Sequence, residues 1–147
     1  MKKTIKLTAL LSLLTLSSLA SAQSSFQGFA DKLYKDGCTG AIIASQDGTV
    51  LATNEAWPRV GEIKTILKGL SSGSLPFFKL EGSNYITLKA NHAYVIAQRD
   101  AGMDGAFKVY IYRTTKSLIA CTTYYSNESK AASKAKDLAD YFVSNGY

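Results

Sequence analysis

The side chains able to carry chemistry are few and widely spaced. His92 is the single histidine, in the turn-forming stretch Ala90-Asn91-His92-Ala93. Without a strand-to-helix elbow context for a nucleophile, it reads as an exposed turn residue rather than a general base. Cys38 and Cys121 are the only cysteines. Two thiols and one imidazole fall short of the four N/S ligands of a closed zinc site, so no metal is expected. Gly102-Met103-Asp104-Gly105 is a turn, too short to cradle phosphates as a Walker-type loop does, and no cofactor is expected either. The nine tyrosines, among them Tyr110, Tyr112, Tyr124 and Tyr125, are explained by strand propensity better than by base stacking. The residues point to a binding protein and not an enzyme.

Charge first suggests a polyanion partner. There are 17 basic and 11 acidic residues, a formal net charge of +6 over 147 residues. Residues 1–22 change that reading. Lys2, Lys3 and Lys6 precede an apolar run, Leu7 to Leu19, which ends in Ala20-Ser21-Ala22. This is the layout of a secretory signal peptide, with cleavage expected after Ala22. The run is too short and too rich in Ser and Thr for a membrane span, so no stable insertion is expected once the leader is removed. The mature domain, 23–147, then has 125 residues, 14 basic and 11 acidic, net +3. Without a basic cluster, that value makes nucleic acid a poor partner. The expected location is secreted or periplasmic. There an oxidising environment favours a Cys38–Cys121 bridge, while the apolar run around each cysteine equally suits two buried thiols.

No repeat, linker or low-complexity tract divides residues 23–147, which read as one domain. Ser24 and Ser25 are capping candidates for a first helix carrying Phe26, Phe29, Ala30 and Leu33 at helical spacing and stopped by Gly37. Small and β-branched residues from Thr39 to Ala44 lead into Gln46-Asp47-Gly48-Thr49, an Asp-Gly turn that begins a hairpin with Val50 to Thr53. After Trp57-Pro58, Glu62 to Leu70 places Ile63, Ile66, Leu67 and Leu70 on one side of a short helix. Strands are expected over Phe77–Leu80, Asn84–Lys89, Ala93–Gln98, Ala106–Arg113 and Ser117–Tyr124, spaced tightly enough to require an antiparallel meander. A last helix from about Ser129 to Ser144 has Leu138, Tyr141 and Phe142 on one side. The fold class is α+β: a central antiparallel sheet with helices packed on it.

This order of elements resembles the profilin family. The likeness rests on Ser25-Phe26-Gln27-Gly28-Phe29, on Ala41-Ile42-Ile43 with Asp47-Gly48-Thr49-Val50, on Trp57-Pro58 followed by Glu62-Ile63, and on Ala139-Asp140-Tyr141-Phe142-Val143-Ser144-Asn145-Gly146-Tyr147. It implies that the terminal helices share one sheet face and the short helix takes the other. It also implies actin-monomer binding and a groove for proline-rich ligands between the terminal helices. Carried over by position, Phe26 stands where the family has Trp, Phe29 where it has Tyr, and Leu51 where it has a second Trp. Tyr141 and Tyr147 match the aromatic or His positions of the last helix. Phe keeps the stacking surface without an N–H, and Leu51 keeps neither, which predicts weak proline-peptide binding.

For the actin surface, the resemblance points to the middle helix, the later strands and the start of the last helix. Lys68, Arg99, Asn127, Lys136 and Asp137 fall at or beside the implied contact positions. The family's basic loop is here Gln98-Arg99-Asp100-Ala101-Gly102-Met103-Asp104-Gly105, with one cation and two acids, which argues against strong phosphoinositide binding. Asn127-Glu128-Ser129 is a glycosylation sequon if the secretory route is eukaryotic. An export signal on a fold that implies a cytosolic partner leaves three readings, one of them a plain sheet-mediated interaction module whose resemblance is structural only. Another is a secreted, non-catalytic protein that binds actin monomers, proline-rich peptides or both, its surfaces partly lost. The third is an exported scaffold repurposed for another peptide, protein or small ligand.

Overall fold

A computed structural model describes residues 16–100, 107–124 and 128–147, with side chains from Ser25 onward. Most of the expected leader, the Gly102–Gly105 turn, Ala106, Tyr125 and Asn127 lie outside the described residues. Among the described residues three helices and seven strands follow in the order α1 (Leu16–Lys35), β1 (Gly40–Ser45), β2 (Val50–Asn54), α2 (Glu62–Ser72), β3 (Phe77–Leu80), β4 (Ser83–Ala90), β5 (Tyr94–Arg99), β6 (Lys108–Arg113), β7 (Ser117–Thr123) and α3 (Glu128–Ser144).

The strands form one antiparallel sheet in the order β2-β1-β7-β6-β5-β4-β3. β3 to β7 make the expected meander, and the β1–β2 hairpin is added against β7. That placement puts β1 and β7 at the centre, where both faces need covering. The sequence of β1 answers this: Ala41 and Ile43 join the cluster under α1 and α3, while Ile42 and Ala44 join the one under α2. The terminal helices therefore share one face and α2 has the other, as the resemblance implied.

Each turn is built from local chemistry. At the β1–β2 turn the Ser45 hydroxyl donates to Asp47, whose carboxylate also accepts from the Thr49 N–H, and Gly48 takes a φ of 91°. These two donors hold the Asp47 carboxyl down at about 2. Gly37, at φ 117°, ends α1 with the Cys38 N–H returning to the Leu33 carbonyl. Gly146 does the same for α3 and turns Tyr147 back, so that its carbonyl accepts from Thr114 Oγ1 at 2.8 Å. Cys38 and Cys121 are bonded, with Cα atoms 5.4 Å apart, tying the end of α1 to the central strand β7.

Two expectations change. Ser24 and Ser25 do not start the first helix, which runs back to Leu16. Leu16 to Ala22 contains neither Gly nor Pro, so nothing in the uncleaved chain interrupts helix propagation there. The buried stripe of α3 is Ala131, Ala135, Ala139 and Phe142, with Leu138 half-buried and Tyr141 exposed. Alanines let the helix lie close to the sheet, and the larger side chains flank the contact instead of filling it.

Candidate functional site

The sequence-derived groove residues do come together. Phe26, Phe29, Tyr141 and Tyr147 join Phe142 in one ring cluster between α1 and α3, with Leu51 of β2 packed against it. Phe142 is the hub, with ring centroids 5.2 Å from Phe29, 5.8 Å from Tyr147 and 6.2 Å from Phe26. Phe26 and Tyr147 lie 5.5 Å apart. The hub was legible as a helix-face residue but not as part of the groove. Most of this cluster is interior: Phe26, Phe142 and Tyr147 are buried, and burial raises the Tyr147 phenol. Only Phe29 and Tyr141 reach a hollow of about 300 Å³ between the two helices, beside Leu33 and Leu138.

The charged candidates do not share one surface. Lys68 stands on the outer side of α2, on the face opposite α3, in a basic hollow with Lys64 and Arg113. Arg99 ends β5, its guanidinium 5.4 Å from the Phe107 ring, which meets Tyr124 at 4.1 Å. On α3, Lys136 pairs with Asp140 at 2.8 Å and Asp137 borders the inter-helical hollow. His92 is an exposed turn residue whose Nδ1 lies 3.1 Å from the Leu70 carbonyl, and its ring fills the space beside Gly73. Gly69-Leu70-Ser71-Ser72-Gly73 has nucleophile-elbow spacing but forms the last turn of a helix, where Ser72 donates to the Gly69 carbonyl. Among the described residues no three His, Cys, Asp or Glu side chains gather as a metal site.

A second surface was missed. α1 lies over β1 and β2 and α3 over β6 and β7, so that face of the sheet is bare from β5 outward. The registers Gln98↔Ile86 and Ile86↔Phe77 put these three side chains in one row on the bare part. Phe77 is 73% exposed, Ile86 49% and Leu88, at a β4 bulge, 55%. Tyr94 and Ile96 continue the surface as half-buried residues. The signal was there: the adjacent pair Tyr85-Ile86 breaks strand alternation and gives β4 an apolar side on each face. The border toward α3 is pinned by Glu128, which accepts from Lys108 Nζ at 2.9 Å and from the Tyr110 hydroxyl. These two donors lower the Glu128 carboxyl, while burial raises Tyr110.

The profilin family model matches residues 24–147. The chain belongs to the profilin family. Its structure is similar to Acanthamoeba castellanii profilin IB, at 21% identity and a TM-score of 0.72 over 82% of this chain and 98% of that one. Profilin IA of the same organism gives 22% identity and 0.71, over 83% and 99%. LokiProfilin1, solved in complex with rabbit actin, gives 16% and 0.64, over 82% and 96%. No curated protein matches the chain in sequence. At such identities the structural likeness establishes the fold of this profilin and not its sites.

Proposed function

We propose that this profilin is exported and, as the mature domain 23–147, binds actin monomers without catalysing a reaction. The observation that carries this reading is the helix-free half of the sheet: a large surface with Ile86, Leu88 and Ile96 on its inner strands, Phe77 on its edge strand, and Lys79, Lys89 and Lys108 among them. Contiguous exposed apolar area with a charged rim is what a protein partner needs. The profilin complex with rabbit actin named above supports actin as that partner. Export is supported by the leader-like start and by the disulfide. No helix among the described residues is long and apolar enough to cross a membrane.

Pyrene-actin assembly assays test the reading directly. The mature chain should slow assembly in proportion to its concentration, and Ile86→Lys should weaken this at least tenfold without changing the melting temperature. Unaltered actin kinetics at concentrations well above that of actin would exclude it and leave the repurposed scaffold. A second reading, proline-rich peptides at the terminal helices, is favoured only by Phe29 and Tyr141 in the inter-helical hollow. With Phe26 and Tyr147 turned inward, such peptides should bind weakly, with chemical-shift changes confined to that hollow.

A further inference from the structure

The two edges of the sheet are treated differently. β2 is tied to α1 at one end: Gln27 donates to the Thr53 carbonyl at 2.8 Å, and the Asn54 side chain donates to Asp31 at 2.9 Å. β3 is open. In the β3–β4 hairpin the pairs are Leu80↔Ser83, Lys79↔Asn84, Phe78↔Tyr85 and Phe77↔Ile86, and the Thr87 N–H bonds the Pro76 carbonyl. Hydrogen-bonded and non-bonded pairs alternate along an antiparallel ladder, so Phe78 and Leu80 direct their backbone groups to β4 while Phe77 and Lys79 direct theirs outward. Among the described residues nothing bonds those outward groups. Beside them runs a groove of about 640 Å³, lined by Val60 and Thr65 on the α2 side and by Phe77, Lys79 and Ile86 on the other. Glu62, whose carboxylate is held by three backbone N–H groups, and Asp100 also line it, so a site for an anion is confined to Lys79.

We propose that this edge takes up an extended peptide as an eighth strand, with an apolar side chain beside Phe77 and an acidic one beside Lys79. An added strand satisfies two outward N–H and two outward C=O groups, and the groove walls receive its side chains. Phe77 and Lys79 lie on the same face, two residues apart, so the ligand carries one apolar and one acidic side chain at that spacing, in an order set by the direction of the added strand. Lys79 is exposed, with no acidic partner among the described residues, and thus selects for an anion. A second copy of β3, Phe77-Phe78-Lys79-Leu80, offers it none. The inference shares Phe77, Lys79 and Ile86 with the proposed actin surface but rests on the outward backbone groups of β3, which that reading does not use, so amide protection at this edge and actin kinetics report on the two separately.

The test is amide hydrogen exchange by NMR on the mature chain, with a capped nine-residue peptide of alternating valine and threonine. One valine is replaced by glutamate in the probe and by lysine in its control. Millimolar glutamate peptide should slow the Phe77 and Lys79 amides about tenfold or more, leaving Phe78 and Leu80 unchanged. The lysine peptide should act more weakly, and Lys79→Glu should reverse the order of the two. Unslowed Phe77 and Lys79 amides would overturn the proposal, as would shifts confined to Phe29 and Tyr141. Slowing that appears without peptide and scales with protein concentration would replace the ligand by a second copy.

Discussion

Glu62 opens α2, yet its carboxylate acts mainly at a distance. Oε1 accepts from the N–H of Arg59 at 2.7 Å and of Glu81 at 2.7 Å, and Oε2 accepts from Gly82 at 2.8 Å. Glu81 and Gly82 form the tip of the β3–β4 hairpin with φ of 55° and 76°. A glutamate in the left-handed region costs roughly 1 kcal/mol, and the Glu62 bond to its N–H offsets that strain. Glu81 in turn accepts from the Trp57 N–H at 2.6 Å, so two carboxylates hold the loop Trp57–Gly61 against the hairpin.

Glu62→Ala removes three N–H bonds to a charged acceptor. Buried bonds of this kind contribute about 1.5–3 kcal/mol each. Glu62 is only half-buried, so water can replace part of that and about 1 kcal/mol apiece, roughly 3 kcal/mol in all, is the expected loss. For a domain of this size that lowers Tm by about 10 °C. Glu62→Gln keeps one accepting oxygen for Arg59 and Glu81 but turns an N–H₂ toward Gly82, predicting a loss of about 1–1.5 kcal/mol. Urea melts followed by circular dichroism give both numbers, and the single Trp57 adds a local readout, because its fluorescence anisotropy should fall in the Ala variant. An Ala variant within 0.5 kcal/mol of wild type would refute the clamp. So would a Gln variant as unstable as the Ala one, since the acceptor count would then not matter.

Replacing both cysteines by alanine opens a loop closed over a separation of 83 residues and should cost about 4.5 kcal/mol by chain entropy, read from the same melts. Asp47→Asn should cost about 0.5–1 kcal/mol at pH 7, a value already discounted for the exposure of this turn. The Asp47 folded-state pKa of about 2 lies below the unfolded value of 3.8, so its contribution is full above pH 4 and is lost as the pH falls toward 2. The melts of wild type and Asp47→Asn should therefore differ at pH 7 and converge near pH 2.

What the sequence made legible was local. The face of α2, Ile63, Ile66, Leu67 and Leu70, is the buried one because helical spacing alone decides it. The Asp-Gly turn and the Gly37 stop follow from backbone sterics at single residues. The family pattern brought Phe26, Phe29, Tyr141 and Tyr147 together, but not their burial, which depends on how Phe142 seats among them. Leu138, Tyr141 and Phe142 do share the side of α3 that meets α1, but the contact with the sheet is made by Ala131, Ala135 and Ala139, whose small side chains carry no such signal. The Glu62 clamp had no signal at all, since its partners Glu81 and Gly82 are 19 and 20 positions away. The open β3 edge was equally invisible, because which strand is an edge depends on the order of all seven.

Simple dimensions explain why a bare half-face exists. Seven strands about 4.8 Å apart make a sheet roughly 30 Å wide, whereas two helices packed side by side cover about 20 Å. Two helices thus shelter about four strands, and here those are β2, β1, β7 and β6. Three strands must remain uncovered on that face whatever their sequence, and solubility favours making them polar. This chain does so only in part: Asn84, Gln98 and Lys79 are polar, but Phe77, Ile86, Leu88 and Ile96 are not. Many other large apolar side chains fill the two interior clusters, although Trp57, Val60 and Val143 are also exposed, and under α3 alanine stands where bulk would hold the helix off the sheet. Apolar residues kept on this part of the sheet gain only the modest cross-strand contact of pairs such as Phe77↔Ile86 in the isolated fold, and their exposure is the reason this surface is proposed as the one a partner covers.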